Sequence, residues 1–279
     1  MNKKRENPLV SVIIPTFNRG WILKEAIDSV LAQNFEDFEL IVIDDGSTDK
    51  TPDILNSYKD NIMTFSQNNK GVSTSRNRGI ALSSGRFIAF LDSDDLWMQN
   101  KLSTQVDFFN KNHDALICQT DEIWIRNNVR VNPKTRHNML SGMIFEYSLN
   151  LCMVSPSAVM IKRGLFDEVG LFDEDLPACE DYDLWLRISC GYPVYLIDTP
   201  LIIKRGGHSD QLSRMPLLDK YRIKALNKII ASSLLSEEQY RAAIKTLKEK
   251  CAIYANGCRN RGRTDEALFY KTMGDCGKP

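Results

Sequence analysis

The chain has 279 residues, 43% hydrophobic and 26% charged, and its 36 Lys/Arg balance its 36 Asp/Glu. That length buries one large α/β core, or one core with a small appendage. No stretch approaches the roughly 20 apolar residues of a membrane span, and the charged N-terminus leads into no apolar signal region, so neither an integral membrane protein nor a secreted one is expected. Seven cysteines, without any Cys-x-x-Cys, suit reduced cytosolic thiols better than a disulfide or zinc framework. Cys179 lies beside an acidic pair and reads as a small buried thiol rather than a nucleophile.

In chain order, Val10 to Ile14 is a short apolar run ended by Pro15, which predicts a buried strand with a loop at its carboxyl end. Leu23, Ile27, Val30 and Leu31 follow at helical spacing. Phe38 to Ile43 is a second strand, delivering Asp44, Asp45 and Gly46. Thr48 or Asp49 can cap the next helix, with Pro52 in its first turn. Ile62 to Phe65 is a third, weaker strand, and a helix then carries Val72, Ser75, Arg76, Gly79 and Ile80. The fourth strand runs from Phe87 into Asp92, Asp94 and Asp95. Asp95 is expected to cap a helix whose inner face is Leu102, Val106 and Phe109.

Beyond residue 115 the pattern is less regular. Leu116–Cys118, Glu122–Ile125 and Ser157–Ile161 read as short strands, and residues 163–170 as a short helix closed by glycine. Residues 180–188 form a helix with Leu184, Trp185 and Ile188 inward. Pro193–Ile197 is a further strand. Helices are predicted over 217–234, 237–256 and 263–273. Residues from 204 onward hold sixteen Lys/Arg against eight Asp/Glu, so a basic C-terminal segment follows an acidic body. Such a segment is either a solvated helical tail or a surface for phosphates and anionic lipid.

Four strand–helix repeats in about 110 residues call for a mostly parallel central sheet with helices on both faces. Ligands of such sheets bind outside the carboxyl ends of the strands. Pro15–Asn18, Asp44–Gly46 and Asp92–Asp95 all fall on that edge. Three carboxylates in four positions repel one another. A hard divalent cation with oxygen ligands resolves that conflict.

Five segments carry a resemblance. They are Val-Ser-Val-Ile-Ile-Pro-Thr-Phe-Asn-Arg (10–19), Val-Ile-Asp-Asp-Gly-Ser-Thr-Asp (42–49), Gly-Val-Ser-Thr-Ser-Arg-Asn-Arg-Gly (71–79), Phe-Leu-Asp-Ser-Asp-Asp-Leu-Trp (90–97) and Glu-Asp-Tyr-Asp-Leu-Trp-Leu-Arg (180–187). In this order and spacing the chain resembles a family 2 glycosyltransferase of the GT-A fold, over about residues 8–210. The resemblance implies a Rossmann-like sheet and an inverting transfer of one sugar from a nucleotide-sugar, usually UDP-linked, with Mg²⁺ or Mn²⁺. It places Pro15 and Phe17 in the uracil pocket, with Asp45, flanked by Asp44, accepting the uracil N–H. It sets Arg76 against the nucleotide, Asp92 on the ribose or metal, Asp94 on the metal, and Asp181 as the base that takes the acceptor proton. Glu180 could instead orient the acceptor. His208 matches a position where relatives carry a histidine near metal and diphosphate.

The resemblance also implies a glycan or lipid-linked acceptor and no nucleic-acid partner. The Gln-x-x-Arg-Trp block of processive synthases is absent, so a non-processive enzyme of the bacterial type is expected. It would be cytoplasmic, with possible peripheral membrane contact through the basic segment. Residues 1–213 are expected to form the nucleotide-sugar-binding and catalytic domain and 214–279 a helical extension. The competing class is a nucleotide-sugar-binding protein without catalysis, against which the joint presence of Asp94 and Asp181 argues.

Overall fold

The computed structural model describes residues 7–132, 138–207, 211, 215 and 217–276. Strand β1 (Val10–Thr16) is buried along its whole length, as a strand covered on both faces requires. It is joined by β2 (Phe38–Asp44), β3 (Met63–Ser66) and β4 (Phe87–Phe90) in the order β3-β2-β1-β4, all parallel. Helices α1 (Leu23–Leu31), α2 (Thr51–Ser57) and α3 (Val72–Leu82) make the return crossings. Helix α1 turns Leu23, Ala26, Ile27 and Val30 inward, the stripe that helical periodicity requires.

Pro15 does not end β1. It pairs with Ile43 of β2, while the β4 ladder has already stopped at Ile13, so on that side no ladder partner needs the N–H that proline lacks. Helix α3 lies hard against β1: a Cβ on Gly79 would come within 2.4 Å of Ile13 Cγ2.

The other half of the sheet is mixed. It comprises β5 (Leu96–Trp97), β6 (Ile117–Arg126), β7 (Val129–Val131), β8 (Val159–Lys162) and β9 (Tyr195–Gly206). From β4 the order continues β8-β6-β9-β5, with β7 on the flank of β6. Interspersed helices are α4 (Lys101–Lys111), α5 (Phe145–Asn150), α6 (Leu165–Val169) and α7 (Glu180–Ser189). Three sequence expectations change here. Asp95 caps no helix, because α4 starts at Lys101 behind Asn100 and β5 intervenes. The two short strands expected over 116–125 are one strand, irregular between Thr120 and Glu122 where its register against β9 shifts. Strand β9 runs on beyond Ile197, with Pro200 opposite Asp121 at that irregularity.

Helices α8 (Leu218–Ala231), α9 (Glu237–Asn260) and α10 (Thr264–Cys276) complete the chain. Ser236 and Gln239 close a reciprocal capping box at the start of α9, satisfying two otherwise orphaned donors. Ile223, Leu226 and Ile230 of α8 and Leu247 and Tyr254 of α9 share one core with Phe145 and Leu149 of α5 and with Tyr182 and Leu186 of α7. That shared core seats α8 beside the start of α7. Among the described residues no helix is long and apolar enough to cross a membrane.

Candidate active site

The carboxyl ends of β1, β2 and β4 open onto a cavity of about 810 Å³. Its first wall is the end of β1, with Pro15, and the loop after it, with Phe17, Asn18 and Arg19. That loop is tied to the loop after β2: Ser47 Oγ accepts from the Asn18 N–H at 2.8 Å, and Asn18 Oδ1 accepts from the Thr48 N–H at 2.8 Å. Asp49 and Thr51 accept from the Gly20 and Arg19 N–H groups, each at 2.9 Å. Phe17, 42% exposed, thus stands at the cavity mouth on a backbone fixed from below.

Asp45 is buried in the same wall. Its carboxylate accepts from the Gly71 N–H at 2.8 Å, the Lys70 N–H at 2.9 Å and Gln67 Nε2 at 2.8 Å. The φ of +90° at Gly71 is open to glycine without a Cβ penalty, and the turn it makes lets two successive N–H groups reach one carboxylate. Asp44 does not face the cavity; it accepts from the Ser47 N–H at 3.1 Å and shapes the turn behind Asp45.

The acidic cluster after β4 divides in three. Asp92 accepts from Arg76 Nη2 at 2.7 Å. Asp94 lines the cavity, and its carbonyl accepts from Arg205 Nε at 2.5 Å. Asp95 is buried, accepting from Ser157 Oγ at 2.7 Å and from the Arg205 N–H at 2.9 Å. Burial above all, and then Asp94 and Asp92, push its carboxyl well above the carboxylate range. Asp95 is therefore a latch between the cluster, the turn before β8 and the end of β9.

Helix α7 brings the second acidic pair. Glu180 is buried and accepts from Arg76 Nη1 at 2.5 Å, so one guanidinium spans Asp92 and Glu180. Burial opposes the charge on Arg76, yet Asp92 and Glu180 together hold it protonated well above its usual range. For Glu180 burial is the largest influence and Asp181 the next; against the pull of Arg76 they raise its carboxyl to about 7. Asp181 lines the cavity, with Oδ1 accepting from the Tyr182 N–H at 2.7 Å and Cys152 Sγ 3.6 Å from Oδ2.

Of the residues singled out by sequence, Pro15, Phe17, Asp45, Arg76, Asp92, Asp94 and Asp181 all line this one cavity and Asp44 does not. Arg76 lies buried between carboxylates with its guanidinium engaged by both. His208 lies outside the described residues. Sequence reasoning missed Lys204, Arg222 and Cys152, which share the lining. Cys152 and Arg222 carry no local motif, whereas Lys204 and Arg205 adjoin the Gly-Gly-His segment and offered a signal.

Among the described residues no three His, Cys, Asp or Glu side chains converge as a complete metal cage. Asp92 and Asp94 supply hard oxygen donors on the cavity wall. That donor set suits Mg²⁺ or Mn²⁺, which fill their remaining positions with phosphate and water, better than zinc with its three or four protein ligands.

Residues 11–170 match the family described as Glycosyl transferase family 2. An uncharacterized glycosyltransferase of Rickettsia typhi is 32% identical over 98% of this chain and 83% of its own length. The UDP-Glc:alpha-D-GlcNAc-diphosphoundecaprenol beta-1,3-glucosyltransferase WfgD of Escherichia coli is 35% identical over 64% of this chain and 69% of its own. In fold, S. aureus TarS 1-349 in complex with UDP-GlcNAc superposes with a TM-score of 0.70 at 18% identity, over 96% of this chain and 92% of that one.

Proposed function

The chain belongs to glycosyl transferase family 2, and on that premise we propose an inverting, metal-dependent transfer of one sugar from a UDP-sugar to a hydroxyl of a glycan or lipid-linked acceptor. The observation that carries this is the meeting of Asp181 with Asp92 and Asp94 in one cavity whose other wall holds Phe17 and Asp45. The E. coli relative's name joins a UDP-sugar donor to a β linkage in the product. A β linkage made from an α-linked sugar nucleotide is an inversion.

In this proposal the Phe17 ring lies on the uracil face above Pro15. Asp45 accepts the base N–H with acceptor capacity left after its three internal hydrogen bonds, since a carboxylate offers about four lone-pair sites. Asp44 keeps the turn beneath it in place. Asp92 and Asp94 would hold the divalent cation, whose Lewis acidity would offset the negative charge of the departing nucleoside diphosphate. Arg76 acts through the residues it grips: it fixes Asp92 on one side and Glu180 on the other. Asp181 takes the proton of the acceptor hydroxyl as that oxygen bonds to the anomeric carbon. A base so placed contributes about 10²–10⁴-fold.

Residues 1–213 would form the catalytic unit and 214–279 a helical extension bearing on the acceptor side. A lipid-linked acceptor places the work at the inner face of a membrane, approached peripherally.

The test is a thermal-shift series with UDP-, GDP- and dTDP-sugars, with and without Mn²⁺. Stabilisation by UDP-sugars that needs Mn²⁺ is the expected outcome. Equal response with and without metal, or none to any nucleotide-sugar, would refute it.

A further inference from the structure

The cavity extends beyond the residues assigned above. Past Asp181 its wall is built by Pro177, Ala178 and Cys179 before α7 and by Leu218 and Arg222 of α8. Helix α8 lies outside the part of the chain that matches the family. Its position follows from the core it shares with α5 and α7.

The charges at this end differ from those of the rest of the lining. Arg76 is spent on Asp92 and Glu180, Arg205 on Glu25 and the Asp94 carbonyl, and Lys204 faces Glu122 and Ser155. Arg222 has a partly exposed Asp219 on its own helical turn at 3.2 Å. Behind it stands buried Lys250, whose Nζ is 3.5 Å from the Asn150 carbonyl. Burial lowers the Lys250 pKa, and the neighbouring charge of Arg222 lowers it further. At the end of the cavity remote from Phe17 and Asp45, Arg222 is thus a lining cation whose ion-pair partner Asp219 is partly exposed.

Resting on the proposed transfer, we propose that Arg222 is a specificity-determining residue which binds a phosphate of a lipid-linked diphosphate acceptor, with Leu218, Pro177 and Ala178 as its apolar surroundings. The donor's diphosphate belongs to Asp92 and Asp94. The acceptor hydroxyl must lie against Asp181, so the rest of the acceptor leads away from the donor, toward Arg222. Guanidinium suits a phosphate there because its planar fork of N–H donors matches phosphate oxygens and stays charged at every working pH.

The test fills the donor site with UDP and Mn²⁺ and then titrates the full chain by calorimetry with farnesyl diphosphate, farnesol and inorganic pyrophosphate. Farnesyl diphosphate should bind the wild type more tightly than either fragment. Arg222→Gln should weaken it about tenfold or more, the loss of a charge-assisted hydrogen bond, and Arg222→Lys should weaken it less. UDP affinity measured on the same samples should be unchanged, which also shows that each variant is folded. Equal farnesyl diphosphate binding by wild type and Arg222→Gln, or none by wild type, would overturn the assignment. Pyrophosphate binding as tightly as farnesyl diphosphate would refute the lipid part, and weaker UDP binding by Arg222→Gln would place the residue on the donor side. Failure of the wild type to bind UDP would instead refute the donor proposal.

Discussion

Removing the guanidinium of Arg76 would leave Asp92 and buried Glu180 without their common cation. Breaking a buried ion pair from one side costs about 3–5 kcal/mol, so Arg76→Met should lower stability by that order in a urea melt. Asp94→Ala removes a carboxylate from the cavity wall, and calorimetry with UDP should show weaker binding in Mn²⁺ but little change without it. A different prediction concerns Lys101, fully buried over the Trp97 ring at 4.0 Å with Gln105 as its hydrogen-bond partner. Burial lowers its pKa to about 7, against about 10.4 in an unfolded chain. Between those values the unfolded state holds more protons, so stability should climb with pH by up to about 1.4 kcal/mol per unit. Below about 7 this contribution is flat, with its full penalty in place. Lys101→Met should abolish the climb in denaturation curves taken from pH 7 to 10. Neither Arg76 as a bridge nor Lys101 as a buried cation was legible in the sequence, because both depend on partners that only the fold brings near.

At the level of elements, the legible ones were those whose signal is local. Apolar runs gave β1, β2 and β4, and Leu23, Ile27, Val30 and Leu31 at helical spacing gave α1. Gly79 belongs to this scale as well, since α3 approaches β1 closely only where a side chain is missing. Gly79→Ala should cost about 1–3 kcal/mol by overpacking against Ile13, read as a lowered melting midpoint. Strands β6 and β9 were legible only in fragments, because their pairing crosses an irregularity at Thr120–Glu122 that brings Pro200 into the ladder. Asp198-Thr-Pro has the composition of a turn, and long-range pairing overrides it. The two-residue β5 left no periodicity to read; it is the reason Asp95 became a latch instead of a cap.

Over the whole molecule, the parallel half of the sheet and its loop edge followed from chain order, since each strand–helix unit closes on its neighbour. The mixed half and the seat of α8–α10 did not follow, because they rest on contacts between segments far apart in sequence. What the whole fold adds is the enclosure of the site: Asp92 of the first acidic cluster and Glu180 of the second acidic pair are drawn together by Arg76, and α8 closes the far end of the cavity. The division of labour proposed here sets leaving-group stabilisation at Asp92 and Asp94 and proton removal at Asp181. Asp181→Asn tests it most directly, with UDP affinity in Mn²⁺ and sugar transfer to acceptor measured on the same preparation. The predicted result is unchanged UDP binding with transfer reduced by about 10²–10⁴-fold; transfer at the wild-type rate would contradict it.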